Sequence, residues 1–139
     1  MILRLPTFFK AVIGALVVVS GLSGLVRNAH AAELIMYEQD GCPACDLWKK
    51  EVGKIYPLTD EARVLPLRMV NIHGPQPEDL EFLGRNRFTP YFVVIEDGRK
   101  IGHIYGYNDE AAFYGLLGEL IERVNVGKSG SLRTSPDKG

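Results

Sequence analysis

Two cysteines, Cys42 and Cys45, are all that the chain contains, and their spacing removes the usual means by which a small exported domain holds itself together. A bridge between them encloses only two residues, so it restricts the unfolded chain little and adds little stability. The fold must therefore rest on a hydrophobic core. With 139 residues, 46% of them apolar and 24% charged, the chain can build one such core and has no room for a second. A disulfide of so little use to the fold points to redox chemistry rather than to stapling.

Charge is unevenly distributed. Residues 1–31 hold Arg4, Lys10 and Arg27 and no acid, whereas all 17 Asp and Glu lie beyond residue 32. A basic start, the apolar run Ala11 to Val26 and the small residues of Ala29-His30-Ala31 read as a secretory signal peptide cut after Ala31. The alternative is an uncleaved membrane anchor, but the run is 16 residues long and is interrupted by glycine and serine, against roughly 20 needed to cross a hydrocarbon core. Either way the following domain is exported. The expected organisation is a signal peptide over 1–31, a domain over 32–126 and a disordered polar tail over 127–139. Beyond residue 31 the chain carries 13 basic and 17 acidic residues, a formal −4, with no basic stripe for nucleic acid.

Hydrophobic patterning gives the order β, α, β, α, β, β, α. Glu33 to Glu38 is a strand, and Gln39-Asp40-Gly41 is a turn that delivers Cys42. Pro43 suits the first position of a helix, which continues to about Tyr56 with Cys45, Trp48, Val52 and Ile55 or Tyr56 on its buried side. Leu65 to Ile72 is a second strand, with Leu65, Leu67 and Met69 on one side. Pro77 with Glu78, Asp79 and Glu81 starts a short second helix that directs Leu80, Leu83 and Phe82 to the core. Tyr91 to Ile95 and Lys100 to Tyr105 are strands joined by Asp97-Gly98 as an antiparallel hairpin. Asn108 or Asp109 caps a last helix to about Val124, with Ala112, Phe113, Leu116, Leu117, Leu120, Ile121 and Val124 buried.

Disulfide exchange needs an attacking thiolate, a nearby thiol to resolve the mixed disulfide, and access for another sulfur. Cys42, just ahead of the first helical turn, faces unpaired N–H groups that lower a thiol's pKa below about 8.5. Cys45, one turn in, is the resolving thiol. Half a zinc site is the competing reading, but the exported part adds only His73 and His103, which lack ligand spacing and are expected to face solvent. Pro90 stands between a loop and a β run, where a proline needs a reason such as a cis bond or an edge position.

Together, Cys42-Pro43-Ala44-Cys45 at a helix start and Thr89-Pro90 followed by YFVVIEDGRKIGHIYGY resemble the thioredoxin superfamily, over about residues 33–124. The resemblance implies a three-layer α/β/α thioredoxin-like fold of minimal, glutaredoxin-like topology. More narrowly, the chain is similar to the SoxS-type periplasmic thioredoxins of bacterial sulfur-oxidation systems. By this resemblance Pro90 is a cis-proline set against the cysteines. Thr89 pairs its backbone with a substrate peptide, and Pro43 and Ala44 complete the substrate-facing surface. The family's buried acid six positions ahead of the first cysteine is replaced by Met36, leaving Glu38 or water to accept the proton of Cys45. Trp48 is expected to be core. The implied activity is reduction of disulfides or mixed disulfides on exported proteins by a monomer without a cofactor, supplied with electrons by a membrane carrier. A dedicated oxidant would carry a large helical insertion before Pro90, and the stretch from Cys45 to Thr89 is already occupied. Glutathione dependence is disfavoured by export and by the single Gly102. A metal chaperone using both thiolates, or a non-catalytic thioredoxin-like adaptor, is the alternative.

Overall fold

The computed structural model describes residues 32–133, so the expected signal peptide lies outside the described residues. The elements are β1 (Glu33–Glu38), α1 (Pro43–Trp48), a π-helical turn (Lys49–Gly53), a 3-10 turn (Tyr56–Leu58), α2 (Asp60–Val64), β2 (Leu67–Asn71), a 3-10 helix (Glu78–Leu83), β3 (Tyr91–Glu96), β4 (Arg99–Tyr105) and α3 (Glu110–Arg133). The four strands form one sheet in the order β2-β1-β3-β4. β1 runs parallel to β2 and antiparallel to β3, and β3 and β4 form the hairpin. Asp97 and Gly98 take φ of 50° and 68°, the pair of positive values a tight hairpin turn needs. Among the described residues no helix is long and apolar enough to cross a membrane.

Strand alternation divides the core in two. Leu34 and Met36 of β1, with Phe92 and Val94 of β3, meet Cys45, Trp48, Val52 and Tyr56 and the α3 stripe of Phe113, Leu117, Leu120 and Val124. Ile35, Tyr37, Val70, Tyr91, Val93 and Ile95 form the opposite cluster, where Leu80 of the 3-10 helix packs. Arg68 fastens that helix to the sheet: its Nη2 lies 2.8 Å from Glu33 Oε1 and 2.6 Å from Asp79 Oδ2.

Several sequence expectations are corrected. The cysteine helix keeps α geometry only to Trp48 and then widens into the π turn, which holds Val52 in the core and leaves Ile55 54% exposed while Tyr56 is buried. Tyr56 donates from its hydroxyl to the Leu65 carbonyl at 2.7 Å. The second helix is a 3-10 helix rather than an α-helix, held between Pro77 and Gly84. Phe82 lies outside the core. The loop from Pro57 to Val64, read as holding one turn at Thr59-Asp60-Glu61-Ala62, forms the short helix α2, which Thr59 caps by accepting from Ala62 N at 3.2 Å. β2 is an edge strand, so Met69 is exposed and Val70, from its other side, is the buried residue. On α3, Ala112 and Leu116 are exposed. The expected tail also begins too early. Despite Gly127 and Gly130, each costing about 1 kcal/mol in a helix, α3 runs to Arg133. Ser129 Oγ donates to Asn125 O at 3.0 Å, and Lys128 reaches the buried Glu96 carboxylate at 3.6 Å.

Gly102 sits where α3 crosses β4. A Cβ there would lie 2.4 Å from Leu120 Cδ2, so the helix approaches this closely only over a glycine. Gly102→Ala is expected to cost about 1–3 kcal/mol by overpacking, read as a lower urea midpoint with an unchanged m-value.

Candidate functional site: a dithiol at the start of the first helix

β1 ends in Gln39-Asp40-Gly41, and this turn places Cys42 as the N-cap of α1 with Pro43 in the first turn, where the missing N–H costs nothing. Cys42 and Cys45 are joined as a disulfide with their Cα atoms 5.2 Å apart. The Cys45 amide donates to Cys42 Sγ at 3.2 Å, so the sulfur occupies the place of a capping oxygen. The two sulfurs differ in access. Cys45 is fully buried, Cys42 keeps 5% of its surface, and the exposed Pro43 and half-buried Ala44 form the outer surface of the loop. This arrangement favours negative charge on Cys42 and shields Cys45.

Thr89 and Pro90 come to the same end of the sheet. Tyr91 pairs with Tyr37, the residue before Glu38, so the residues just ahead of β3 lie beside the β1 exit that leads to Cys42. The Thr89–Pro90 bond is cis; Thr89 is half-buried and Pro90 buried, its carbonyl accepting from Gly106 N at 2.9 Å. Trp48 is core: it is fully buried, with ring centroids 5.3 Å from Phe92 and 5.6 Å from Phe113.

Met36 is fully buried and apolar, and Glu38, two residues on and so on the same face of β1, is ion-paired to Lys49. Lys49 follows Cys45 by one helical turn, its amide reaching the Cys45 carbonyl. The sequence reading named Glu38 but not its lysine, whose i+4 offset from Cys45 was the available signal. A second unread contact braces the same helix: Tyr107 donates to Glu51 Oε2 at 2.7 Å, and burial, then this carboxylate, push its phenol well above the ordinary value. His73 and His103 are exposed, the first hydrogen-bonded to Gln39 and the second edge-on to Tyr105 and tilted against Tyr91. Among the described residues no group of three or more His, Cys, Asp or Glu is placed to hold a metal.

A thioredoxin-like domain family matches residues 25–121, most of the chain and the whole of this site. The chain belongs to the thioredoxin-like family. Among solved structures, this thioredoxin-like protein is similar to the reduced periplasmic thioredoxin SoxS of Paracoccus pantotrophus, at 36% identity and a TM-score of 0.63 over 67% of this chain and 98% of that one. A Thermus thermophilus thioredoxin (18% identity, TM-score 0.56, 78% of this chain and 85% of that one) shares the fold. So does a Malassezia sympodialis thioredoxin (19%, 0.54, 66% and 78%). No curated protein matches the sequence. The family and the bonded Cys42–Cys45 pair make this thioredoxin-like protein a thiol-disulfide oxidoreductase.

Proposed function

We propose that the protein is a periplasmic protein-disulfide reductase in which Cys42 attacks and Cys45 resolves. The observation that carries this reading is the asymmetry of the pair: the more accessible sulfur, Cys42, accepts the Cys45 amide at the helix start, while Cys45 is sealed in the core. In the reduced protein the Cys42 thiolate attacks one sulfur of a substrate disulfide, forming a Cys42–substrate bond and releasing the other substrate sulfur as a thiolate. Cys45 then loses its proton and attacks Cys42 Sγ. The mixed disulfide breaks, the second substrate thiolate leaves, and the Cys42–Cys45 bond forms. Two electrons pass to the substrate, and an external dithiol, for which a membrane carrier is the expected source, must return them. Thr89, Pro43 and Ala44 are the surfaces against which the substrate lies. The basic start and apolar run of residues 1–31 and the likeness to a periplasmic thioredoxin support the compartment.

We assign the proton of Cys45 to Glu38, the acid that ends β1 on the same face as Met36 and is ion-paired to Lys49. Glu38→Gln is expected to slow resolution roughly tenfold to a hundredfold, the lower end of general-base effects because water competes as acceptor. Stopped-flow decay of a preformed mixed disulfide checks this, and an unchanged rate across the pH range would return the role to water.

The activity itself is tested by turnover of a disulfide-bonded protein with dithiothreitol as donor. A fusion of residues 1–31 to a reporter active only outside the cytoplasm tests export. Tight zinc or copper binding by the reduced protein, with no turnover, would favour the metal-chaperone alternative.

A further inference from the structure

Immediately before Thr89-Pro90 the surface changes character. Phe88 is 67% exposed and Tyr105 64% exposed, and their rings meet edge to face with centroids 6.3 Å apart. Tyr105 lies opposite Tyr91 and His103 opposite Val93, so these rings share one face of the hairpin. Tyr105 stands 4.7 Å from both Tyr91 and His103. Lys100 Nζ lies 2.8 Å from the Tyr91 hydroxyl and 5.5 Å from its ring centroid. Asn86 donates its side-chain amide to the Phe88 carbonyl, which fixes the loop that presents the ring. Phe88 and Tyr105 belong to neither core cluster, so the fold does not account for holding two large rings in water.

The charge around these rings opposes that of the domain. Arg85 and Arg87 lie in the approach to Phe88, and Arg99 and Lys100 lie at the hairpin; all four are exposed and outside the ion pairs of the described residues. Between residues 84 and 105 the acids are Glu96 and Asp97, and Glu96 is buried against Lys128. On the α1 side of the cysteines the exposed charges are mixed, Asp40, Asp46 and Glu51 standing with Lys50 and Lys54. The dithiol thus has a flank of mixed charge on one side and a basic, aromatic one on the other, in a chain whose residues 32–139 are net negative.

Resting on the reductase reading, we propose that Phe88 and Tyr105, with Arg85 and Arg87 in the loop that leads to Phe88 and Lys100 against Tyr91, are the docking surface for an acidic segment of the substrate protein adjacent to the disulfide under attack. Phe88 is two residues from Pro90, so an extended segment leaving the cysteines past Pro90 reaches it within a few residues, at about 3.3–3.6 Å each. The basic side chains attract that segment, and the mixed charge of the α1 side offers no comparable attraction, so the basic patch sets the direction in which it lies. The rings supply the desolvated contact.

The test uses the full-length protein and two disulfide-bonded peptides of equal length that differ only in Asp/Glu or Lys/Arg beside the cysteine, with the neutral 2-hydroxyethyl disulfide as control. At low salt the acidic peptide is expected to be reduced with a kcat/KM about tenfold higher than the basic one, the advantage shrinking as ionic strength rises to about 0.15 M. Arg85→Glu/Arg87→Glu should reverse the preference. Phe88→Ala/Tyr105→Ala should lower kcat/KM for the acidic peptide about fivefold or more while leaving turnover of 2-hydroxyethyl disulfide unchanged. Equal turnover of the two peptides, or a preference that survives charge reversal, overturns the proposal. So does a concentration-dependent dimer that disappears in the Phe88/Tyr105 variant, since the surface would then belong to a second copy. Failure on 2-hydroxyethyl disulfide would instead count against the reductase reading. The same peptides with cysteine replaced by serine, followed by fluorescence anisotropy, decide the docking question independently of turnover.

Discussion

Cys42→Ser is expected to abolish disulfide reduction, and Cys45→Ser to convert the protein into a trap that stays covalently joined to its substrates. The two outcomes differ because the sulfurs occupy different places. Cys42 is the N-cap of α1, retains some exposure and accepts the Cys45 amide, so it is the sulfur able to be a thiolate and to meet a partner. A serine there keeps the cap hydrogen bond and the fold but has no nucleophilic sulfur. Rates should fall to the level of dithiothreitol alone, while the thermal midpoint moves little, because a loop of two residues contributes little chain entropy. Cys45 is sealed, so without it the first attack proceeds and the second cannot. Non-reducing gels of Cys45→Ser extracts should show higher-mass adducts that dithiothreitol removes and that Cys42→Ser lacks. Adducts formed by Cys42→Ser and absent from Cys45→Ser would reverse the assignment. Identification of the trapped proteins would also show whether acidic sequence flanks their cysteines.

The largest stability effect is expected from Trp48→Ala. The indole is fully buried three residues beyond Cys45, with Phe92, Phe113 and Tyr56 at centroid distances of 5.3, 5.6 and 6.4 Å, so it joins the cysteine helix to β3, to α3 and to the 3-10 turn at once. Its removal is expected to cost about 3–5 kcal/mol, from lost burial and the cavity left behind. A domain of this size has about 5–15 kcal/mol in total, so the variant should be marginal, with a thermal midpoint lower by at least about 10 °C. Urea unfolding followed by circular dichroism measures it. Trp48→Phe, which retains much of the apolar volume and removes an indole N–H that has no partner in the core, should lose much less. A loss below about 1 kcal/mol for the alanine variant would contradict the central place given to this residue.

Legibility in the sequence followed the range of the forces involved. The hairpin was readable because Asp97-Gly98 supplies two positive-φ residues locally, and the start of α1 because Pro43 and its neighbours carry their own signal. Trp48, Val52, Phe113, Leu117 and Val124 were readable as core from helical spacing. Errors arose where a neighbour decided. Met69 lies on the side of β2 expected to be buried, but β2 is an edge and the described residues leave Met69 41% exposed there. Seven residues of the expected tail continue α3 in spite of its glycines, and there Lys128 meets the buried Glu96 of β3, a contact that local sequence does not announce. The π turn after Trp48 follows from packing constraints that no spacing rule encodes.

The chemistry of the site was therefore written in four consecutive residues. Cys42-Pro43-Ala44-Cys45 specifies a helix start, a thiol that caps it and a second thiol one turn inside, all through bonds and local electrostatics. Tertiary structure alone decided what surrounds them. Strand pairing set the Thr89–Pro90 step beside the β1 exit, paired Glu38 with Lys49, and gathered Phe88, Tyr91, His103 and Tyr105 into one aromatic surface. Those neighbours are fixed by sheet register and helix docking, which depend on the whole core at once, whereas the dithiol depends on a single turn of chain.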